Sequence, residues 1–212
     1  MGTLLADTRI REPAFYHVAR FITGAYCFGV LRLQVTGREN VPLTGPLIVA
    51  CNHLSYVDPV ALGVALPRPV AYMAKIELFR IPVLGQVIGA LEAYPVERGK
   101  GDIAAIRSSV RVLEEGKAVG IFPEGTRNLD GEATVQMGVS LLASLTGAPV
   151  LPAFVQGGQH AKRFGKLSVA FGEPLRLGRP QGGKASREEL ANWAAMVMGR
   201  IRSLGEKIAS GD

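Results

Sequence analysis

A histidine and an aspartate separated by four residues follow a short apolar run, and this pair could act as a general base. The run Leu47–Cys51 predicts a buried strand, and His53 comes directly after Asn52. Asp58 precedes Pro59, which suits the first turn of a helix, so Asp58 is predicted as the N-cap of that helix. The loop between them can also fold the carboxylate back to the imidazole, which would fix its tautomer and stabilise the imidazolium. A structural cap beside an incidental histidine is the alternative interpretation.

A second polar cluster follows another apolar run, at residues 118–122. The residues directly after it are Pro123, Glu124, Gly125, Thr126 and Arg127. Arginine gives planar, two-pronged recognition of phosphate, and glycine lets backbone N–H groups approach an anion closely. The cluster therefore fits an anion site, although an ion pair between Glu124 and Arg127 that holds a turn fits it as well.

The elements that must position these clusters alternate between short apolar runs and helical patterns. Further strands are expected at residues 31–35, 70–74, 93–96, 150–155 and 167–171, and helices at 59–66, 82–89, 102–115 and 135–146. A last helix is expected to start at Ser186, which forms a capping box with Glu189. The alternation predicts an α/β fold, a single domain with a mixed, largely parallel sheet flanked by helices. Ligands of such sheets bind at the carboxyl ends of the strands, where both clusters lie.

The start of the chain predicts an amphipathic helix over residues 13–33. Its apolar stretch, residues 21–31, is too short to cross a bilayer, which takes roughly 20 apolar residues. Tyr16, Arg20 and Thr23 lie on its polar side. A helix lying in the membrane interface and a helix packed on the core fit the pattern equally well. We expect residues 1–33 to form an amphipathic, membrane-docking segment and residues 34–212 to form the α/β domain.

The composition excludes several classes of protein. Hydrophobic residues make up 48% of the 212 residues and charged residues 20%, so the chain can bury a core and is not disordered. Cys27 and Cys51 lie in apolar runs and form no disulfide framework, and the three histidines lie far apart. We therefore expect no metal site.

The charge favours an anionic partner, because the chain carries a net charge of +6. Residues 161–187 hold seven basic side chains against one acidic one. A solvated basic face is the alternative interpretation of this segment. Since it has few aromatic residues and no recognisable nucleic-acid module, an anionic membrane surface is expected and nucleic acid is not.

Together, the two polar clusters resemble the PlsC-like glycerolipid acyltransferases, the 1-acyl-sn-glycerol-3-phosphate acyltransferases. The first family motif, His-x4-Asp with flanking Asn and Pro, is matched at residues 52–59, and the third, Phe-Pro-Glu-Gly-Thr-Arg, at 122–127. Weaker similarities include Lys75, Arg98 and Pro152. In one departure, residues 135–137 before Gly138 are uncharged where the family often has lysine or arginine. A contact with the substrate phosphate would then be missing.

The resemblance implies an acyltransferase domain at residues 34–212 that works in phospholipid biosynthesis. It would move a fatty acyl group from a thioester of coenzyme A or acyl carrier protein to the sn-2 hydroxyl of 1-acylglycerol-3-phosphate, giving phosphatidic acid. His53 would remove the hydroxyl proton, Asp58 would orient His53, and no cofactor is implied. The implied substrate-binding residues are Lys75, Arg98, Glu124, Gly125, Thr126, Arg127 and Pro152.

Other functions compete with this expectation. They are acyl transfer to another lysolipid, hydrolysis of a thioester by the same dyad, and non-catalytic phospholipid binding. Covalent catalysis is disfavoured because Ser55 lacks the Gly-x-Ser-x-Gly turn and Cys51 lies within a strand. The expected location is peripheral, on the cytoplasmic side of the cell membrane, with no transmembrane span.

Overall fold

One mixed sheet forms the centre of the computed structural model, which describes residues 13–82, 85, 88–89, 93–96, 102–124, 137–159, 165–177 and 185–210. The strands in these ranges are β1 (Gln34–Thr36), β2 (Leu47–Cys51), β3 (Val70–Lys75), β4 (Tyr94–Val96), β5 (Ala118–Ile121), β6 (Val150–Gln156) and β7 (Ser168–Phe171). Their order is β1-β7-β6-β2-β5-β3-β4. Neighbouring strands run parallel, except for the antiparallel pair β6 and β7. The predicted single α/β domain with a largely parallel sheet is confirmed.

Helices cover both faces of this sheet. They are α1 (Pro13–Ala25), α2 (Asp58–Ala65), α3 (Ile76–Phe79), α4 (Asp102–Glu114), α5 (Gly138–Thr146) and α6 (Arg187–Ser210). A π-helical segment, Tyr26–Val30, continues α1, and a 3₁₀ turn, Arg38–Asn40, follows β1. Alternate residues of β2 point to opposite faces. Leu47 and Val49 join the core beneath α2, whereas Ile48 and Ala50 join the core formed with α4, α5 and α6.

The predicted elements agree closely with the observed ones. All seven strands are confirmed, with ends that differ by at most three residues. The largest shift is at β1, which starts at Gln34 because Leu31 and Leu33 still donate backbone hydrogen bonds to the preceding helical segment. The capping box is confirmed: the Ser186 N–H donates to Glu189 Oε2 at 2.6 Å, and the Glu189 N–H donates to Ser186 Oγ at 3.1 Å. The helix predicted at 82–89 falls partly outside the described residues.

Helix α1 turns outward the large apolar side chains that the structure describes in it, those of Val18, Phe21 and Ile22. Phe21 is 77% exposed and Ile22 is 61% exposed, whereas Arg20 and Thr23 are half-buried. The Arg20 guanidinium donates a hydrogen bond to the carbonyl of Leu66, just after α2. Arg20 and Thr23, the described members of the polar side of α1, therefore face the protein, the reverse of an ordinary surface helix. Within the ranges given above, no helix has the length and apolarity that crossing a membrane requires.

Candidate active site

The site begins where β2 ends, and Asn52 fixes the chain at that point. Asn52 is buried, and its side-chain amide pairs with the backbone of Val155 in the neighbouring strand β6. Nδ2 donates to the Val155 carbonyl at 2.9 Å, and Oδ1 accepts the Val155 N–H at 2.7 Å. These bonds extend the contact between the two strands beyond Cys51, the last residue of β2. The position of the chain at His53, just beyond the carboxyl end of β2, is therefore fixed.

The carboxylate of Asp58 lies beside the imidazole of His53. Asp58 Oδ2 is 3.4 Å from His53 Nδ1, and the side chains are 1% and 17% exposed, respectively. The same Oδ2 accepts the backbone N–H groups of Leu54 and Ser55, both at 2.6 Å. Two charge-assisted hydrogen bonds thus hold the carboxylate in the loop that carries the histidine.

The prediction that Asp58 caps α2 is wrong. The helix begins at Asp58 itself, Val57 occupies the capping position, and no side chain caps the first turn. The Asp58 carboxylate turns back because its Oδ2 accepts the N–H groups of Leu54 and Ser55 within the loop. The side chain therefore stabilises the loop between His53 and α2 instead of the helix terminus.

Glu124 connects the second polar cluster to the first. Its side chain is buried, and Oε2 accepts the backbone N–H of His53 at 3.3 Å. This contact is possible because β2 and β5 are adjacent and parallel, so their carboxyl ends lie at the same edge. The structure places Glu124 against the main chain of His53, and its expected contact with substrate stays a prediction.

A row of aromatic rings backs the histidine. The ring centroids of His53 and Phe122 are 4.3 Å apart with an angle of 28° between the planes, and those of Phe122 and Tyr72 are 6.1 Å apart at 13°. Gly120 gives the Tyr72 ring its space, since a Cβ there would lie 2.3 Å from a Tyr72 ring carbon. Stacked rings restrict rotation of the imidazole and keep one of its faces away from water.

Cys51 lies close to the dyad, but its thiol is not activated as a nucleophile. Burial raises the pKa of its thiol well above the usual range, and the negative charges of Asp58 and Glu124 raise it further. The thiol therefore stays protonated near neutral pH, whereas a cysteine nucleophile acts as the thiolate. Where side chains are described, no three His, Cys, Asp or Glu residues form a group that could hold a metal ion.

Of the other predicted site residues, the structure describes two, Pro152 and Lys75. Pro152 is buried within β6, opposite Ala50 of β2, and Lys75 is the last residue of β3. Four predicted residues lie outside the described part of the chain, namely Arg98, Gly125, Thr126 and Arg127. Contacts of all six with substrate stay predictions.

Sequence reasoning did not predict the roles of Asn52 and Phe122. An amide directly after a buried strand and an aromatic residue at the end of the next strand are the signals that could have drawn attention to them. The hydrogen bond between Glu124 and the His53 backbone joins positions 71 residues apart, and local spacing carries no signal for such a contact.

The fold and this edge of the sheet match a known family of enzymes. The Acyltransferase family model matches residues 32–156, more than half of the chain, and this range includes both polar clusters. The chain therefore belongs to the Acyltransferase family, and it is an enzyme.

Individual relatives resemble most of the chain. The 1-acyl-sn-glycerol-3-phosphate acyltransferase of Bacillus subtilis (strain 168) is 34% identical over 180 residues, which cover 83% of this chain and 89% of the relative. The crystal structure of the 1-acyl-sn-glycerophosphate acyltransferase PlsC from Thermotoga maritima is similar at 31% identity with a TM-score of 0.69, covering 95% of this chain and 84% of that one. The 1-acyl-sn-glycerol-3-phosphate acyltransferase of Borreliella burgdorferi is 34% identical over 125 residues. This match covers 58% of this chain and 50% of the relative.

Proposed function

We propose that this acyltransferase moves a fatty acyl group from a thioester donor to the sn-2 hydroxyl of 1-acylglycerol-3-phosphate, which makes phosphatidic acid for phospholipid biosynthesis. The observation that carries the proposal is the pair of side chains at the sheet edge, a buried Asp58 whose Oδ2 lies 3.4 Å from Nδ1 of the half-buried His53. The names of the Bacillus and Thermotoga relatives support the choice of acceptor. Coenzyme A and acyl carrier protein both present the required thioester, so either can act as donor.

In this mechanism His53 is the general base. Its Nδ1 faces Asp58, so Nε2 is the nitrogen that takes the proton from the acceptor hydroxyl. The hydroxyl oxygen bonds to the thioester carbonyl carbon and forms a tetrahedral oxyanion. Collapse of this intermediate breaks the C–S bond, and the proton on His53 passes to the leaving thiolate. The products are an ester and a free thiol, and His53 returns to its neutral form without an acyl-enzyme.

Arg127 and Arg98 are proposed to bind the phosphate of the acceptor, with Lys75 assisting. The guanidinium group suits this task because it makes two parallel hydrogen bonds to phosphate. Arg127 follows Glu124 by three residues, a distance of at most about 11 Å along the chain. Since Glu124 bonds to the backbone of His53, this length of chain is short enough for the proposed contact between Arg127 and an acceptor held at the dyad.

The outward apolar face of α1 is proposed to dock the enzyme peripherally on the cytoplasmic face of the cell membrane, where its lipid substrate lies. Phe21 and Ile22 are 77% and 61% exposed, and Phe28, in the π-helical segment that continues α1, is 49% exposed, whereas Arg20 is turned toward the protein. In water these exposed apolar side chains contribute no hydrophobic stabilisation. A helix that lies in the membrane interface buries them at the boundary between lipid head groups and acyl chains. The positive net charge adds attraction to anionic lipids.

The substrate proposal is tested with a panel of donors and acceptors. Labelled acyl-CoA and acyl-acyl carrier protein are each offered with 1-acylglycerol-3-phosphate and with lysolipids of the same chain that carry choline, ethanolamine or glycerol head groups. We expect the highest kcat/KM with 1-acylglycerol-3-phosphate. A higher value with another lysolipid would replace the acceptor, and acceptor-independent thioester cleavage would indicate a hydrolase. Vesicle binding without turnover of any pair would indicate a non-catalytic module.

Membrane docking is tested by sedimentation with anionic vesicles at low and high salt. We expect high salt to release part of the protein, and we expect changing Phe21, Ile22 and Phe28 to serine to abolish the part that resists salt. Leu145→Ser is the matched control, because Leu145 is 55% exposed but lies on α5, across the sheet from α2. Salt-resistant binding that survives the triple substitution would place the membrane face elsewhere.

A further inference from the structure

Gly158 lies against the carboxylate of Asp58, just past the carboxyl end of β6. A Cβ at position 158 would lie 2.2 Å from Asp58 Oδ1 and 3.2 Å from the Cβ of Ser55. A carbon atom cannot approach a carboxylate oxygen that closely without displacing it. Only glycine fits at this position while Asp58 keeps its place.

Asp58 cannot move aside without losing its partners. Its Oδ2 accepts the N–H groups of Leu54 and Ser55 at 2.6 Å and approaches His53 Nδ1 at 3.4 Å. Rotation that clears a methyl group from Oδ1 also carries Oδ2 away from these groups. The side chain is 1% exposed, so water does not replace the lost hydrogen bonds.

The backbone around Gly158 is also held in place, by a hydrogen bond from Ser55 and by the conformation of Gly157. The Ser55 hydroxyl donates to the Gly158 carbonyl at 3.0 Å, and Ser55 Oγ itself accepts the Val57 N–H at 3.3 Å. The preceding residue, Gly157, has a φ of +90°, and a Cβ there would lie 2.0 Å from the carbonyl oxygen of Lys166. The connection after β6 is therefore fixed close to the loop between His53 and α2.

We propose that Gly158 is a positioning residue, whose missing side chain leaves Asp58 the space to face His53. The inference rests on the proposed function, because it gives Gly158 a role only through the dyad. The loop after β6 thereby becomes a third segment of the site, beside the two that carry the family motifs. Gly158 touches no reacting atom and acts through Asp58 alone.

Gly158→Ala tests this role in the full-length protein. A displacement of about 1 Å in a catalytic group costs about 10²-fold, so kcat should fall by about that factor, with both KM values within threefold of the wild type. In the Asp58→Asn background the same substitution should cost less than threefold, because the misplaced group is already impaired. A Gly158→Ala variant with normal kcat, or with a full additional loss in the Asp58→Asn background, would overturn the proposal.

A second measurement needs no catalytic activity. Thermal unfolding is followed for Gly158→Ala alone and together with Asp58→Ala, which removes the carboxylate oxygen that the added methyl group would overlap. Gly158→Ala should lower Tm clearly when Asp58 is present and by less than 2 °C in the Asp58→Ala background. If Gly158→Ala does not fold alone, folding of the double variant supports the proposal, and failure of both variants to fold contradicts it.

Gly199→Ala is the matched control, because Gly199 lies in α6 and nothing would contact a Cβ added there within 4 Å. Its kcat and KM values should equal those of the wild type.

The failure of the proposed function and the failure of the positioning role of Gly158 can be distinguished. A wild-type protein that transfers no acyl group to any lysolipid refutes the proposed function, whereas equal Tm losses from Gly158→Ala in the two backgrounds refute the positioning role.

Discussion

Replacing Asp58 by asparagine removes one charge from a side chain that is 1% exposed and keeps its size almost unchanged. Its Oδ2 accepts two N–H groups, from Leu54 and Ser55, and both bonds become neutral in the variant. A hydrogen bond to a charged group contributes about 1.5–3 kcal/mol and a neutral one about 0.5–1.5 kcal/mol, so the two bonds weaken by about 2 kcal/mol together. Relief from burying a charge offsets part of this loss. We expect the free energy of unfolding to fall by about 1–2 kcal/mol, which leaves the variant folded.

The effect of Asp58→Asn on turnover should be much larger. The amide oxygen that keeps the Leu54 and Ser55 N–H bonds is also the atom that faces His53 Nδ1, but no negative charge remains to stabilise the imidazolium. We expect kcat to fall by about 10³ to 10⁴, which corresponds to about 4–5.5 kcal/mol in the activation barrier. Both KM values should stay within threefold, because Asp58 is buried behind His53 and is not proposed to contact substrate.

The assay is steady-state transfer of a labelled acyl group to 1-acylglycerol-3-phosphate, with urea unfolding of the same preparations. Glu114→Gln is the matched control, since this change removes one negative charge from an exposed position at the end of α4. It should behave as the wild type in both measurements. An Asp58→Asn protein with kcat within tenfold of the wild type would refute the role of Asp58 in orienting His53.

Four further substitutions test other parts of the site. Asn52→Ala leaves a buried N–H and a buried carbonyl of Val155 without their partner, so urea unfolding should show a loss of about 2–4 kcal/mol. Phe122→Leu removes the ring stacked on His53, and kcat should fall by up to about tenfold in the transfer assay. Arg127→Lys cannot make the two-pronged phosphate contact and should raise KM for the acceptor more than for the donor; equal rises would mark it as structural. Cys51→Ala tests alkaline stability: because the thiol pKa is raised in the folded state, the wild type should lose stability above about pH 9 by up to about 1.4 kcal/mol per pH unit more than the variant. Parallel urea-unfolding curves of these two proteins from pH 8 to 10.5 would contradict that titration.

The sheet was predictable because its central strands are continuous apolar runs. Strands β2 and β5 are buried on both faces, as parallel strands between two layers of helices must be. The orientation of α1 was not predictable to the same degree. Sequence periodicity shows which side of a helix is apolar, but only the contact of Arg20 with Leu66 reveals that the polar side faces the protein.

The dyad was predictable in composition but not in its supporting contacts. His53 and Asp58 lie in one loop, so their spacing limits how far apart they can be. Asn52 with Val155, and Ser55 with Gly158, are pairs 103 residues apart that meet only because β2 and β6 are neighbours in the sheet. The N-cap prediction for Asp58 failed for a related reason, since a local rule could not anticipate two loop N–H groups that hold the carboxylate.

General-base catalysis by His53 is tested most directly by single-turnover acyl transfer with purified His53→Ala. The imidazole is half-buried at the sheet edge, and the backbone at this position is held by Glu124, so the variant should fold and bind the thioester donor. We expect the rate to fall by about 10² to 10⁴ or more and to be partly restored by added imidazole. Near-normal transfer by the folded variant would contradict the mechanism.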